Sequence, residues 1–141
     1  METRHSIDEI LAAARLDLRR VSPAEAYEAA RDGAVLVDVR SEDERRRQDA
    51  LISGALHHPL SVLHWRLDPA VPTSNPKLPL DARLILLCRE GYSSSLAAAL
   101  LRAIGFARAT DVIGGVEGWK AAGLPFEPYE VRLRRAAIAR A

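Results

Sequence analysis

Two short runs of apolar residues constrain the fold of this 141-residue chain more than any other feature. One run occupies residues 34–39, between Gly33 and the charged Arg40, and the other occupies residues 84–87. Neither run shows a regular alternation of apolar and polar residues, which is the pattern of strands covered on both faces, as in a parallel sheet. Helical signals lie before and after each run. The sequence therefore predicts an α/β fold with a mostly parallel sheet.

Start and stop signals indicate where the helices lie. Ser6, with a glutamate three residues later, predicts a capping box, and Ser22 followed by Pro23 predicts a second helix start. The other expected elements are a helix over 93–104 that ends at Gly105 and weaker strands at 55–58 and 110–113.

Composition indicates one globular domain and excludes several classes of partner. The 20 Lys and Arg residues nearly balance the 19 Asp and Glu residues, so no overall basic charge favours nucleic acid. The one cysteine cannot form an internal disulfide, so folding does not depend on an oxidising compartment. The N-terminus lacks the apolar run of a signal peptide, and no segment reaches the length of a membrane span. We therefore expect a cytoplasmic protein with no nucleic acid and no membrane as partner.

Cys88 lies where the second apolar run ends and a Gly/Ser-rich loop leads into a helix. In parallel α/β sheets, ligands bind outside the carboxyl ends of the strands. Consecutive backbone N–H groups in a tight loop bind anions, and the dipole of the following helix adds to the effect. Both features favour the thiolate, which is the nucleophilic form of cysteine. Cys88 is therefore a candidate nucleophile.

The residues after Cys88 supply what an anion-binding loop needs. The expected sulfur-binding or substrate-binding residues are Arg89, Glu90, Gly91, Tyr92, Ser93 and Ser94. The glycine permits the φ values of a tight loop. The serines, together with Ser95, are expected to offer an N-cap and hydroxyl donors at the rim of the site.

Two chemistries use a cysteine in such a loop. Phosphatases need an arginine six positions after the nucleophile to clamp the phosphoryl group, and here that position is Ser94. Transfer of a single sulfur atom needs only the backbone N–H groups, so the loop fits sulfur better than phosphate. A structural role also stays open, because a free cysteine at the end of a buried strand often serves as a small core residue.

Asp38 and Arg40 are expected to support the site from the end of the first strand. Asp38 is expected to accept hydrogen bonds from loop backbone or to pair with Arg40, in preference to acting as a catalytic acid or base. Arg40 is expected to do the same or to attract an anionic donor. His57, His58 and His64 lack further ligands at the spacing of a metal site, so no metal is expected.

Four sequence segments follow one another along residues 21–127. They are DVR at 38–40 with Glu44, ISGA at 52–55, CREGYSS at 88–94, and IGGVEGW at 113–119 followed by GLP at 123–125. In this order the segments resemble the signatures of the rhodanese homology domain, a sulfurtransferase fold. Cys88 stands at the position that carries sulfur in that family.

The resemblance implies a rhodanese-like five-stranded parallel sheet flanked by helices on both faces, in a domain over residues 21–128. Residues 1–20 would then be an N-terminal helical extension and residues 129–141 a basic C-terminal tail. The resemblance also implies no metal and no organic cofactor, with the amides of Arg89 to Ser94 binding a sulfur on Cys88. The extension could pack on its own domain or form a dimer contact, so the oligomeric state stays open.

The resulting hypothesis is a thiosulfate sulfurtransferase-like enzyme that moves sulfane sulfur through a Cys88 persulfide. The donor is expected to be thiosulfate or a similar small molecule. The acceptor must be an external thiol or cyanide, because the chain has no second cysteine to resolve the persulfide. The alternative is a non-catalytic rhodanese-like module that carries or senses sulfur or binds a protein partner. A third class, a cysteine phosphatase or arsenate reductase, conflicts with Ser94 and with the lack of a partner cysteine.

Overall fold

Four short strands form one parallel sheet in the computed structural model, which describes residues 3–140. The strands are β1 (Val35–Asp38), β2 (Leu56–His57), β3 (Leu84–Leu87) and β4 (Thr110–Asp111). Their order across the sheet is β2-β1-β3-β4, and every pairing is parallel. The two apolar runs form the central pair, β1 and β3, which confirms the predicted parallel α/β fold.

The prediction of five strands is wrong, because the edge beside β4 carries a single-residue bridge instead of a strand. Val21 pairs in parallel with Val112. The N–H of Val21 donates to the carbonyl of Asp111 at 3.2 Å, and the N–H of Ile113 donates to the carbonyl of Val21 at 2.9 Å. The next residue, Ser22, already caps a helix, so only one residue stays extended at this edge.

Seven helices surround the sheet within residues 3–140. They are α1 (Ile7–Arg15), α2 (Pro23–Arg31), α3 (Glu42–Gln48), α4 (Leu63–Leu67), α5 (Ser93–Ile104), α6 (Gly115–Ala121) and α7 (Tyr129–Arg140). The predicted capping box at Ser6 and the helix start at Ser22 are confirmed, and Ser41 forms a third capping box. In the described part of the chain, no helix is both long enough and apolar enough to cross a membrane.

The sheet separates two apolar clusters, which explains why its central strands are apolar throughout. Successive strand residues point to opposite faces. On one face, Val37 and Leu86 pack with α4 and α5, and Cys88 belongs to this cluster. On the other face, Leu36 and Ile85 pack with α2 and α6. Cys88 therefore sits at the end of a strand whose position is fixed from both sides.

The C-terminal segment is held to the domain through its first helical residue. Tyr129 is buried, its N–H donates to Asp49 at 2.9 Å, and its hydroxyl donates to Glu42 at 2.6 Å. The hydroxyl hydrogen bond is the main reason why the pKa of Glu42 lies below its ordinary value, and it holds the pKa of Tyr129 above its own. The bond thus favours an ionised Glu42 and a neutral tyrosine.

We expect Tyr129→Phe to lower the melting temperature by about 2–4 °C near neutral pH, because α7 loses this anchor. A lowered carboxyl pKa contributes stability above the pKa of the unfolded state, and that stability is lost as the pH falls through the folded pKa. The difference in melting temperature between wild type and variant should therefore shrink as the pH falls below the ordinary pKa of a glutamate and through the lower folded pKa of Glu42. Tyr27→Phe is the control, since the Tyr27 ring packs edge-on against Trp119 and its hydroxyl has no partner among residues 3–140. A difference that persists unchanged in acid would contradict the assignment.

Candidate active site

Cys88 forms the floor of a small cavity at the junction of β3 and α5. Its side chain is only 4% exposed. The cavity measures about 190 Å³ and is lined by Cys88, Arg89, Glu90, Tyr92 and Ser93. We call residues 88–94 the cysteine loop. The structure thus brings together most of the residues that the sequence singled out.

The sulfur of Cys88 has one donor and one acceptor within hydrogen-bond distance. The N–H of Gly91 donates to Sγ at 3.0 Å, and the thiol donates to the Ser94 hydroxyl at 3.2 Å. Ser94 uses its own hydrogen on Oδ2 of Asp111 at 2.7 Å, so it accepts from the thiol. Thiol, hydroxyl and carboxylate therefore form a short buried chain.

Of the three serines, only Ser93 lines the cavity, as predicted for a rim residue. Ser94 and Ser95 lie beneath the cysteine loop, so the prediction that they supply rim hydroxyls is wrong, and none of the three caps α5. Ser94 and Ser95 are fully buried, and both hydroxyls donate to Asp111, at 2.7 and 2.8 Å. The N-cap of α5 is Tyr92, which makes no side-chain capping bond. The two hydroxyls point inward because the buried carboxylate of Asp111, on β4, accepts a hydrogen bond from each of them.

The carbonyl groups of the cysteine loop are held by groups outside it. At the start of α6, the N–H of Val116 donates to the Cys88 carbonyl at 2.9 Å, and the N–H of Glu117 donates to the Arg89 carbonyl at 3.1 Å. Gln48 Nε2 also donates to the Arg89 carbonyl, at 3.2 Å. Because the C=O and N–H of a trans peptide point in opposite directions, this arrangement turns the loop N–H groups away from α6. Such a set of N–H groups binds anions.

Asp38 and Arg40 lie under α3 and do not line the cavity. The Arg40 guanidinium binds both carboxylate oxygens of Asp38, at 2.9 and 2.8 Å, and its side chain is fully buried. Its other bonds go to the Gln48 side chain at 3.1 Å and to the Ala50 carbonyl at 2.8 Å. Asp38 and Arg40 are therefore connected to the cysteine loop through Gln48, whose amide also donates to the Arg89 carbonyl.

The rim of the cavity is polar and exposed. Arg89 and Glu90 form an ion pair at 3.6 Å, with more than half of the arginine side chain in solvent. Tyr92 is 61% exposed. A second cavity of about 310 Å³ shares Tyr92 and Ser93 and is bounded on its other side by α1. The N-terminal helix therefore borders the entrance to Cys88.

Three residues in direct contact with this site had no signal in the local sequence. Asp111 accepts the serine hydroxyls described above, and Arg15 and Arg20 both donate to the Gly91 carbonyl, at 2.7 and 3.0 Å. Asp111 falls in a segment that resembles an ordinary strand, and the two arginines precede the segments with recognisable motifs.

Comparison with known proteins assigns the chain to a family. The sequence model described as Rhodanese-like domain matches residues 22–122. Thiosulfate sulfurtransferase GlpE of Ectopseudomonas mendocina is 37% identical over 105 residues, which cover 74% of this chain and 87% of that protein. Adenylyltransferase and sulfurtransferase MOCS3-2 of Zea mays is 39% identical over 102 residues, which cover 71% of this chain. The chain spans only 20% of the length of that maize protein.

Solved structures show the same fold. A protein of unknown function and possible tyrosine phosphatase from Rhodopseudomonas palustris superposes with a TM-score of 0.80 at 25% identity, covering 90% of this chain and 98% of its own. The polysulfide-sulfur transferase homodimer of Wolinella succinogenes superposes with a TM-score of 0.66 at 25% identity, covering 84% and 85%. Together with the family match, these likenesses show that the chain belongs to the rhodanese-like domain family.

Proposed function

We propose that this protein is a sulfurtransferase in which Cys88 carries sulfane sulfur from a donor such as thiosulfate to an external thiol or to cyanide. The observation that carries the proposal is the Gly91 N–H directed at Cys88 Sγ from 3.0 Å, on the floor of a cavity of about 190 Å³. This volume suits a small anion. The relationship to proteins named thiosulfate sulfurtransferase supports the choice of donor.

In the first half-reaction, the Cys88 thiolate attacks the outer sulfur of thiosulfate. A sulfur–sulfur bond forms to Cys88, the sulfur–sulfur bond within thiosulfate breaks, and sulfite leaves with the electron pair. Cys88 becomes a persulfide anion, and the total charge is unchanged. Backbone N–H groups of Arg89 to Ser94 stabilise this anion, as preorganised donors do wherever charge develops.

In the second half-reaction, an acceptor takes the terminal sulfur. Cyanide or a thiolate attacks it, the bond to Cys88 breaks, and thiocyanate or a new persulfide leaves while the Cys88 thiolate is restored. The acceptor must come from outside because Cys88 is the only cysteine. A covalent intermediate between two half-reactions predicts ping-pong kinetics.

Ser94 adapts to both protonation states of the sulfur in this scheme. It accepts from the thiol because its hydrogen is committed to Asp111. Once the thiol proton has passed to solvent, Ser94 can turn its hydrogen toward the thiolate. Asp111 then still accepts from Ser95 at 2.8 Å and from Arg20 at 2.8 Å, so its buried carboxylate keeps its partners.

The first test is intact-protein mass spectrometry before and after thiosulfate, on wild type and Cys88→Ser. We expect wild type alone to gain one sulfur, and cyanide to remove it with release of thiocyanate. Steady-state turnover with thiosulfate and cyanide should fall to background in Cys88→Ser. A folded wild-type protein that gains no sulfur from thiosulfate would refute the proposed donor.

The same experiment separates the alternatives. Persulfide formation without turnover would favour a sulfur carrier or sensor over an enzyme. The likeness to a possible tyrosine phosphatase makes aryl phosphate hydrolysis the second activity to assay. Ser94 holds the position of the phosphate-clamping arginine and is bound to Asp111, so we expect no hydrolysis that depends on Cys88.

A further inference from the structure

Two arginines that precede the matched family domain contact the cysteine loop. Arg15 ends α1, Arg20 precedes the Val21 bridge, and the family match begins only at residue 22. Arg15 Nη2 donates to the Gly91 carbonyl at 2.7 Å, and Arg20 Nη2 donates to the same oxygen at 3.0 Å. One carbonyl oxygen therefore accepts from two guanidinium groups, which uses both of its lone pairs.

Both arginines are themselves held in place by buried groups. Arg20 Nε donates to Asp111 Oδ1 at 2.8 Å, and Asp111 is fully buried. Arg15 Nε donates to the Ser95 hydroxyl at 3.0 Å, which in turn donates to Asp111 at 2.8 Å. The two guanidinium groups, the serine and the carboxylate thus form one connected cluster against the outside of the cysteine loop.

This cluster fixes the orientation of the Gly91–Tyr92 peptide. Gly91 has φ +91°. Because glycine has no Cβ, it tolerates a wider range of backbone angles than other residues, and the Gly91–Tyr92 peptide could therefore rotate if nothing held it. In a planar trans peptide, a carbonyl directed at the arginines turns the N–H of Tyr92 away from them. If the peptide flipped, a carbonyl oxygen would replace that N–H and would repel an anion. The arginines oppose the flip because it would break two charge-assisted hydrogen bonds.

The cluster also carries a net positive charge against the outside of the cysteine loop. Asp111 compensates one of the two guanidinium charges, so the formal charge of the cluster is positive. The charged residues of the loop itself, Arg89 and Glu90, pair with each other at 3.6 Å and cancel. On the opposite side of the loop, the Glu117 carboxylate accepts from Gln48 Nε2 at 3.0 Å, and the same amide contacts the Arg89 carbonyl. The remaining positive charge lies against the Gly91 carbonyl, on the outside of the loop that would hold an anion.

We propose that Arg15 and Arg20 are positioning residues that hold the cysteine loop in its anion-binding form, which makes the end of α1 and the segment that follows it a working part of the active site. The anion bound in this form would be the Cys88 persulfide, and only in this identification does the proposal rest on the proposed function, which it deepens. The positioning of the loop can be tested through the thiol alone.

The test compares Arg15→Gln, Arg20→Gln and the double variant with Arg19→Gln, a neighbouring exposed arginine outside the cluster. Alkylation of Cys88 by iodoacetamide reports the thiolate fraction and is measured at about pH 7 and about pH 10. At the lower pH we expect roughly threefold slower alkylation in each single variant and about tenfold in the double variant, the effect of removing one or two nearby screened charges. At the higher pH all rates should converge. Arg19→Gln should match wild type at both.

Two outcomes would overturn the proposal: wild-type rates in folded variants at the lower pH, or an equal loss of rate at both pH values. The second would mean that the arginines only maintain the fold around the loop. Thermal unfolding checks that each variant is folded. If Arg20→Gln does not fold, because the buried Asp111 carboxylate has lost its cationic partner, Arg15→Gln alone decides the test. If wild type shows the expected alkylation pattern but gains no sulfur from thiosulfate, the positioning role stands and the proposed function fails.

Discussion

Gly115→Ala is expected to destabilise the fold by about 3–5 kcal/mol and to displace the cysteine loop. A Cβ at this position would lie 2.4 Å from the Cys88 carbonyl oxygen, 2.8 Å from the Gly91 nitrogen and 2.9 Å from the Glu90 nitrogen. All three are backbone atoms, so no side-chain rotation relieves the overlap. The φ of +58° adds strain for any residue with a Cβ.

Gly123→Ala provides the matched control for this prediction. Gly123 has φ +72°, but a Cβ there would meet nothing within 4 Å. The control therefore carries only the backbone strain, about 1–2 kcal/mol. Urea unfolding measures both free energies, and alkylation of Cys88 reports whether the loop has moved. Equal destabilisation in the two variants would show that α6 does not pack against the loop as closely as these distances require.

The close contact at Gly115 also explains how α6 takes part in the site. Only a glycine lets the first turn of α6 approach near enough for Val116 and Glu117 to donate to the carbonyls of the cysteine loop. The sequence marks this segment as a family motif and as a helix start. Only the three-dimensional structure shows that the motif donates hydrogen bonds to a loop more than twenty residues earlier in the chain.

The elements predicted well are those with local physical causes. The strand over 84–87 and the helix over 93–104 with its end at Gly105 match the structure residue for residue, because an apolar run and a glycine C-cap act within a few residues. The position of Cys88 at a strand end follows from the same boundaries. These signals were enough to locate the cavity.

The rest of the site depends on contacts between distant segments. Arg15 and Arg20 lie 76 and 71 residues from Gly91 in sequence, and nothing local distinguishes them from the other members of a set of 20 basic residues. Asp111 lies in the strand expected over residues 110–113, and nothing in that segment predicts that its side chain contacts the site. The missing fifth strand has a similar cause, because its residue Val21 is extended only through tertiary pairing with Val112 before α2 begins.

Arg40→Met is expected to destabilise the protein by about 3–5 kcal/mol, since it removes one partner of a buried ion pair. Asp38 would keep only Arg45 Nε at 3.5 Å as a cationic neighbour. The control is Arg46→Met, which breaks an exposed pair with Asp43 whose arginine side chain is 63% exposed. Such surface pairs contribute about 0–1 kcal/mol. Urea unfolding should separate the two variants clearly, and equal losses would contradict the burial of the Arg40 charge.

The double variant Asp38→Leu with Arg40→Met decides whether Arg40 does more than compensate a buried charge. Removing both charges should recover part of the loss, because the Ala50 carbonyl and the Gln48 side-chain oxygen still lose their donor and the Arg40 N–H loses its acceptor. The fully buried Arg40 side chain cannot meet a donor arriving from solvent, so we expect the double variant to form the Cys88 persulfide. A folded double variant that fails to do so would show that the bond from Arg40 to Gln48, and through it the Arg89 carbonyl, sets the geometry of the cysteine loop.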